Sequence, residues 1–130
     1  MRLYQESIKS YMQSIATLPL ISVEDEIELA KLIEAGSEEA REKLIIANLK
    51  LVVKIAHDYK SLGVPLADLI SEGNIGLMKA VEKFRPGHGA KFSSYGNQIE
   101  RLLQCFVYSN ILTIIFPVFW SNYNIFHDAR

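Results

Sequence analysis

Asp68 and Glu72 lie one helical turn apart, and Ile75 and Met78 continue along the same strip, so two carboxylates and two adaptable apolar groups share one surface. An acid pair can do general acid–base work only with a companion base or a metal-ligand set, and this one has neither. His57, His88 and His127 are far apart with no pairing at ligand spacing, and no glycine-rich phosphate loop follows a strand. The pattern excludes a metal centre, a cofactor and an enzyme as first readings. A docking surface for another protein remains, beside the plainer alternative of a solvated helix face.

The helix that must carry these groups opens at Val64-Pro65, with proline near the first helical position. Its other face is an apolar stripe of Leu66, Leu69, Ile70, Gly73, Leu77, Ala80, Val81 and Phe84 at three- and four-residue steps. Gly73 and Gly76 each cost about 1 kcal/mol relative to alanine inside a helix. Close approach of another backbone accounts for that cost.

Earlier in the chain, Ile8, Tyr11, Met12 and Ile15 predict a short amphipathic helix from Ser7 to Ile15, stopped by Pro19. Ser22 and Asp25 have capping-box spacing for a second helix ending at Gly36, and Ser37 caps a third, with Glu38 and Glu39 at its positive end. Leu44, Ile45, Leu49, Val52, Val53, Ile55 and Ala56 continue that helix towards Gly63, interrupted by Asn48. An amide there marks a bend or a satisfied surface group, or presents itself to a base. Arg85 to Gly89 reads as a loop, and Lys91 to Tyr95 as the start of another helix.

Composition sets few limits beyond these. With 130 residues, 49% hydrophobic, the chain can form one modest core, and a net charge of −1 announces no nucleic-acid partner. Charge is blocked, however: Glu24 to Glu39 holds seven acids and one lysine, Arg41 to Lys60 five bases and two acids, and Lys79 to Lys91 four bases and one acid. Cys105 is alone, which fits a reducing, cytoplasmic setting, and its neighbours Gln104, Phe106 and Val107 predict a buried thiol. Met1 begins a charged amphiphilic segment without a basic-then-apolar leader.

Asp68-Leu-Ile-Ser-Glu-Gly-Asn-Ile-Gly-Leu-Met-Lys-Ala-Val-Glu-Lys-Phe84, followed by Gly89-Ala-Lys-Phe-Ser-Ser-Tyr95, resembles the most characteristic motif of primary-type bacterial RNA polymerase sigma factors. The resemblance runs from Glu6 to Tyr95 and takes in Ala47-Asn-Leu-Lys-Leu-Val-Val-Lys-Ile-Ala56. It implies an all-α fold, a compact bundle of about four to five helices like the sigma core-binding domain. It implies a transcription initiation factor whose acidic helix face docks on the coiled coil of the beta-prime subunit of RNA polymerase. By position, Asp68, Ser71, Glu72, Asn74, Ile75 and Met78 would make that contact, with Ser71 where glutamine is common. The same resemblance places Asn48, Lys83, Lys91, Phe92 and Tyr95 at single-stranded promoter DNA. Lysines neutralise phosphates and an aromatic ring offers a base a π-face. From spacing alone, Phe92 and Tyr95 read as core residues.

After Tyr95 the pattern changes. The family would continue with paired tryptophans and a basic recognition helix, whereas Gly96 to Leu103 holds no tryptophan and only Arg101 as a base. From Leu102 to His127 there is no Asp, Glu, Lys or Arg. Leu102 to Trp120 is long enough to span a bilayer, while Gln104, Ser109, Asn110, Thr113 and Pro117 suit a short hairpin, a collapsed tail or disorder at least as well. The expected division is therefore a helical domain over 1–95 and an apolar tail over 96–130. A truncated or frame-shifted module that docks without reading promoters, and a small membrane-associated protein, are the alternative readings.

Overall fold

Ser22 begins the most explicit local signal, and the computed structural model, which describes residues 2–85 and 92–128, builds it as read. The Asp25 N–H donates to Ser22 Oγ at 3.1 Å and the Ser22 N–H donates to Asp25 Oδ2 at 3.4 Å, closing the capping box. Among the described residues six α-helices result: α1 (Arg2–Ala16), α2 (Val23–Glu34), α3 (Glu38–Ala47), α4 (Leu49–Tyr59), α5 (Leu66–Lys83) and α6 (Gly96–Asp128). Short 3-10 turns, Lys60–Leu62 and Phe92–Tyr95, precede α5 and α6, and no strand occurs among the described residues. The fold is all-α.

The helix expected to run through Asn48 is split there. The Asn48 side-chain amide donates to the Leu44 carbonyl at 2.9 Å, while its backbone N–H turns to Ile45 at 3.0 Å. A side chain that takes the carbonyl normally reserved for its own backbone N–H offers the chain an exit from the helix. Asn48 itself has φ −113° and ψ 9°, outside the helical range, and α4 begins after it. Gly63 then stops the following turn at φ +88°, a left-handed conformation that side chains with a Cβ rarely take.

Helix α5 lies at the centre, packed on α3, α4 and α6. Leu69, Ile70, Gly73, Gly76, Leu77, Ala80 and Val81 are its buried residues, so the predicted stripe is the inner face, with Leu66 half-buried at its start. The two leucines contribute roughly 1.5–3 kcal/mol each by leaving water. The glycines are there for closeness: a Cβ on Gly76 would stand 3.3 Å from the Ile99 Cα of α6, and one on Gly73 would stand 2.6 Å from Val52 Cγ1 of α4. Backbone approach accounts for Gly76, and a neighbouring side chain accounts for Gly73.

Gly96–Asp128 forms one helix rather than a hairpin, a collapsed tail or a disordered segment. Its first turns supply Ile99, Leu103 and Val107 to the core. Cys105, expected to be buried, is exposed, because one step from Gln104 or Phe106 is a 100° turn about the helix and Cys105 shares its face with Tyr108 instead. Among the described residues no helix is long and apolar enough to cross a membrane.

Candidate functional site

On α5 the outer strip follows from the inner one, since burying every third or fourth residue forces the rest outwards. Asp68, Ser71, Ile75 and Met78 are exposed, and Glu72 and Asn74 are half-buried beside them. Asp68 to Met78 covers roughly 15 Å of helix at 1.5 Å per residue. Neither Asp68 nor Glu72 has an ion-pair partner among the described residues, whereas Glu82, further along the same helix, is held by Arg41 at 2.8 Å. Ile75 and Met78 remain 42% exposed. The Asn74 Oδ1 is buried without a hydrogen-bond partner among the described residues. Six residues predicted to act together therefore do share one surface. Its unpaired acids and uncovered apolar groups suit protein contact. No group of three His, Cys, Asp or Glu side chains among the described residues can hold a metal ion.

The residues predicted at DNA are not brought together in the same way. Lys83 is exposed, Lys91 lies outside the described residues, and Asn48 sits buried in the α3–α4 bend with its amide N–H committed to Leu44. Phe92 is fully buried, so it offers no ring face to a base and is a core residue, the alternative its spacing allowed. It meets Phe84 edge-on at 5.2 Å and stacks on Tyr95 at 6.0 Å, and Tyr95 meets Phe84 edge-on at 5.3 Å. Tyr95 alone of the pair is half-exposed. Arg85 is committed to Glu34, at 3.2 Å, and to the carbonyls of Glu82 and Phe84.

Two features were not found from sequence. Glu26 faces inwards, 8% exposed, and its Oε2 accepts the Phe92 N–H at 3.0 Å. It precedes the buried Ala30 by one turn, which is the signal that places it on the inner face. The second is a groove of about 390 Å³ between α5 and α6, lined by Lys79, Lys83, Arg101, Gln98, Leu102 and Cys105. Lys79 and Lys83 at four-residue spacing put two cations on its wall.

The Sigma-70 factor region 1.2 family matches residues 6–39, and the Sigma-70 region 2 family matches residues 44–101. The chain is 51% identical over 90 residues to the RNA polymerase sigma factor SigA of Bacillus sp., covering 69% of this chain and 24% of that protein. It is 50% identical over 90 residues to SigA of Clostridium acetobutylicum, with the same coverage. It is 38% identical over 109 residues to the sigma factor RpoS of Coxiella burnetii, covering 83% of this chain and 31% of that protein. The chain thus spans about a quarter to a third of the length of these relatives.

Proposed function

This chain belongs to the sigma-70 family through its regions 1.2 and 2, and from that premise we propose that its α5 strip docks on the coiled coil of the RNA polymerase beta-prime subunit. The observation that carries the reading is the pair of unpaired carboxylates, Asp68 and Glu72, flanked by the exposed Ile75 and Met78 on a helix whose opposite face is locked in the core. Ser71 and Asn74 complete the surface. A rigid strip of this kind loses little conformational freedom on binding.

In transcription initiation the same chain contacts the opened promoter strand through Lys83 and Tyr95, with Lys91 beside them in sequence. Phe92 acts from behind by fixing the Tyr95 ring, and Asn48 by shaping the α3–α4 bend. The work takes place in the cytoplasm with the polymerase, and the chain performs no catalysis of its own.

The test is a pull-down of the full chain with the beta-prime coiled coil. Glu72→Lys reverses a charge at an interface but alters only a partly solvated helix position in the free protein, so it should weaken capture at least tenfold, roughly 1.4 kcal/mol, and leave the melting temperature nearly unchanged. Undiminished capture by a folded variant would refute the docking surface.

A further inference from the structure

Glu26 is a buried carboxylate, and neither the α5 strip nor the lysines use it. Acids are almost never buried without a partner. The partner here is the Phe92 N–H, which opens the 3-10 turn Phe92–Tyr95 and donates to Glu26 Oε2 at 3.0 Å. The first N–H groups of a helical turn have no acceptor within it, and the burial of Phe92 keeps water from serving as one. The turn is therefore pinned sideways to α2 at its first residue.

What the pin holds is a set of rings. Phe92 lies parallel to Tyr95, with 5° between the planes and centroids 6.0 Å apart, and both rings meet Phe84 edge-on. Aromatic contacts of this kind are directional, so the place of the Phe92 ring sets the plane of the Tyr95 ring. Tyr95 closes the same turn three residues later and is half-exposed. Each link from Glu26 to Tyr95 thus has a fixed geometry: carboxylate to N–H, backbone to ring, ring to ring.

We propose that Glu26 is a positioning residue for Tyr95, holding its ring at the angle at which an unstacked base of the single strand meets it. The proposal rests on the reading that Tyr95 contacts the opened strand, and it adds to that reading a buried residue that no base can reach. A ring held in place beforehand needs no ordering when the base arrives. A carboxylate that served stability alone would leave the affinity of the folded molecules unchanged.

The experiment is fluorescence anisotropy of a labelled single-stranded oligonucleotide titrated with the full chain at low salt, at a temperature where circular dichroism shows each variant folded. Tyr95→Ala should weaken binding about tenfold, the loss of one stacked base. Glu26→Ala should weaken it about threefold or more, the cost of ordering one side chain on binding. Glu26→Gln keeps an oxygen that accepts an N–H and should bind within about twofold of the wild type. Glu26→Ala combined with Tyr95→Ala should bind no more weakly than Tyr95→Ala alone, because without the ring nothing is left to position. Val52→Ala, which weakens the core at α4, should bind as the wild type does and so separates positioning from general destabilisation. Glu26→Met has a similar length without a strong acceptor; it should match Glu26→Ala, and it carries the test where the alanine variant does not fold. If Tyr95→Ala binds as the wild type does, the single-strand reading falls and the proposal falls with it. If Tyr95→Ala binds weakly while folded Glu26→Ala binds as the wild type does, if the two losses multiply, or if Val52→Ala loses as much as Glu26→Ala, the proposal alone is overturned.

Discussion

Gly73→Ala sets two effects against each other, and the structure gives the winner. Alanine improves helix propensity by about 1 kcal/mol over glycine, so on an isolated α5 the change would stabilise. In the fold the new Cβ would stand 2.6 Å from Val52 Cγ1, about 1 Å inside ordinary carbon contact. Val52 is fully buried and, being β-branched on a helix, has one strongly preferred rotamer, so it cannot swing aside and α4 must move. Overpacking of that kind costs roughly 1–3 kcal/mol. The variant should therefore be less stable than wild type by about 1 kcal/mol, seen as a lower urea midpoint with an unchanged slope. A second change checks the cause. Val52→Ala alone opens a void and should cost about 2 kcal/mol from lost transfer and packing. The new Gly73→Ala methyl would fill part of that void, so the double variant should be more stable than the two single losses added together by at least ~1 kcal/mol. A Gly73→Ala protein as stable as wild type, or strict additivity in the double variant, would refute the close approach of α4 and α5.

Three further outcomes are expected. Glu26→Ala leaves the buried Phe92 N–H without its acceptor and should cost about 1–3 kcal/mol in urea unfolding, with Glu26→Gln costing less; equal losses for the exposed Glu24→Ala would remove the explanation. Burial first, and then the charges of Glu100, Asp58 and Tyr108, hold the Tyr59 hydroxyl above its ordinary 10.0. A raised value means this contribution is complete below the unfolded value and is lost as pH rises through the folded one, so melting temperature should decline more above about pH 10 in wild type than in Tyr59→Phe; matching curves would count against it. Single-stranded DNA should bind weakly, fall away steeply between low and physiological salt, and bind less to Tyr95→Ala. Anisotropy showing more than about a tenfold preference for a −10-like strand over a scrambled one would mean that the chain reads sequence.

Much of this was legible because local chemistry and tertiary packing agree. The capping box at Ser22, the stops at Gly36 and Gly63 and the inner face of α5 are each set by residues within a turn or two, and each appears as read. The outer strip was legible as the complement of that face. What escaped depends on contacts distant in sequence. Glu26 looked like one acid in an acidic block, and only Phe92, arriving 66 residues later, makes it an inward-facing acceptor. Asn48 allowed a bend, a satisfied surface group or a base contact, and the Leu44 carbonyl that its amide N–H meets is what builds the bend. Cys105 was judged by neighbours along the chain, but burial on a helix is set by neighbours around it. The tail gave no period that separates one long helix from a hairpin, since its residues are apolar on nearly every side.

The Glu26–Phe92 hydrogen bond has a consequence for how the chain acquires its structure. Glu26 belongs to the segment matched as region 1.2 and Phe92 to the segment matched as region 2, so the boundary between those two names is not a boundary of folding. Packing α2 on α3 closes only a short stretch of chain, whereas joining Glu26 to Phe92 closes 66 residues at an entropic cost that grows as the logarithm of length. Local helix pairs come early in such a scheme and this contact comes late, after α4 and α5 have brought the two ends together. Region 1.2 is then ordered by region 2 rather than beside it, and urea unfolding followed by helical circular dichroism should show one transition, not two.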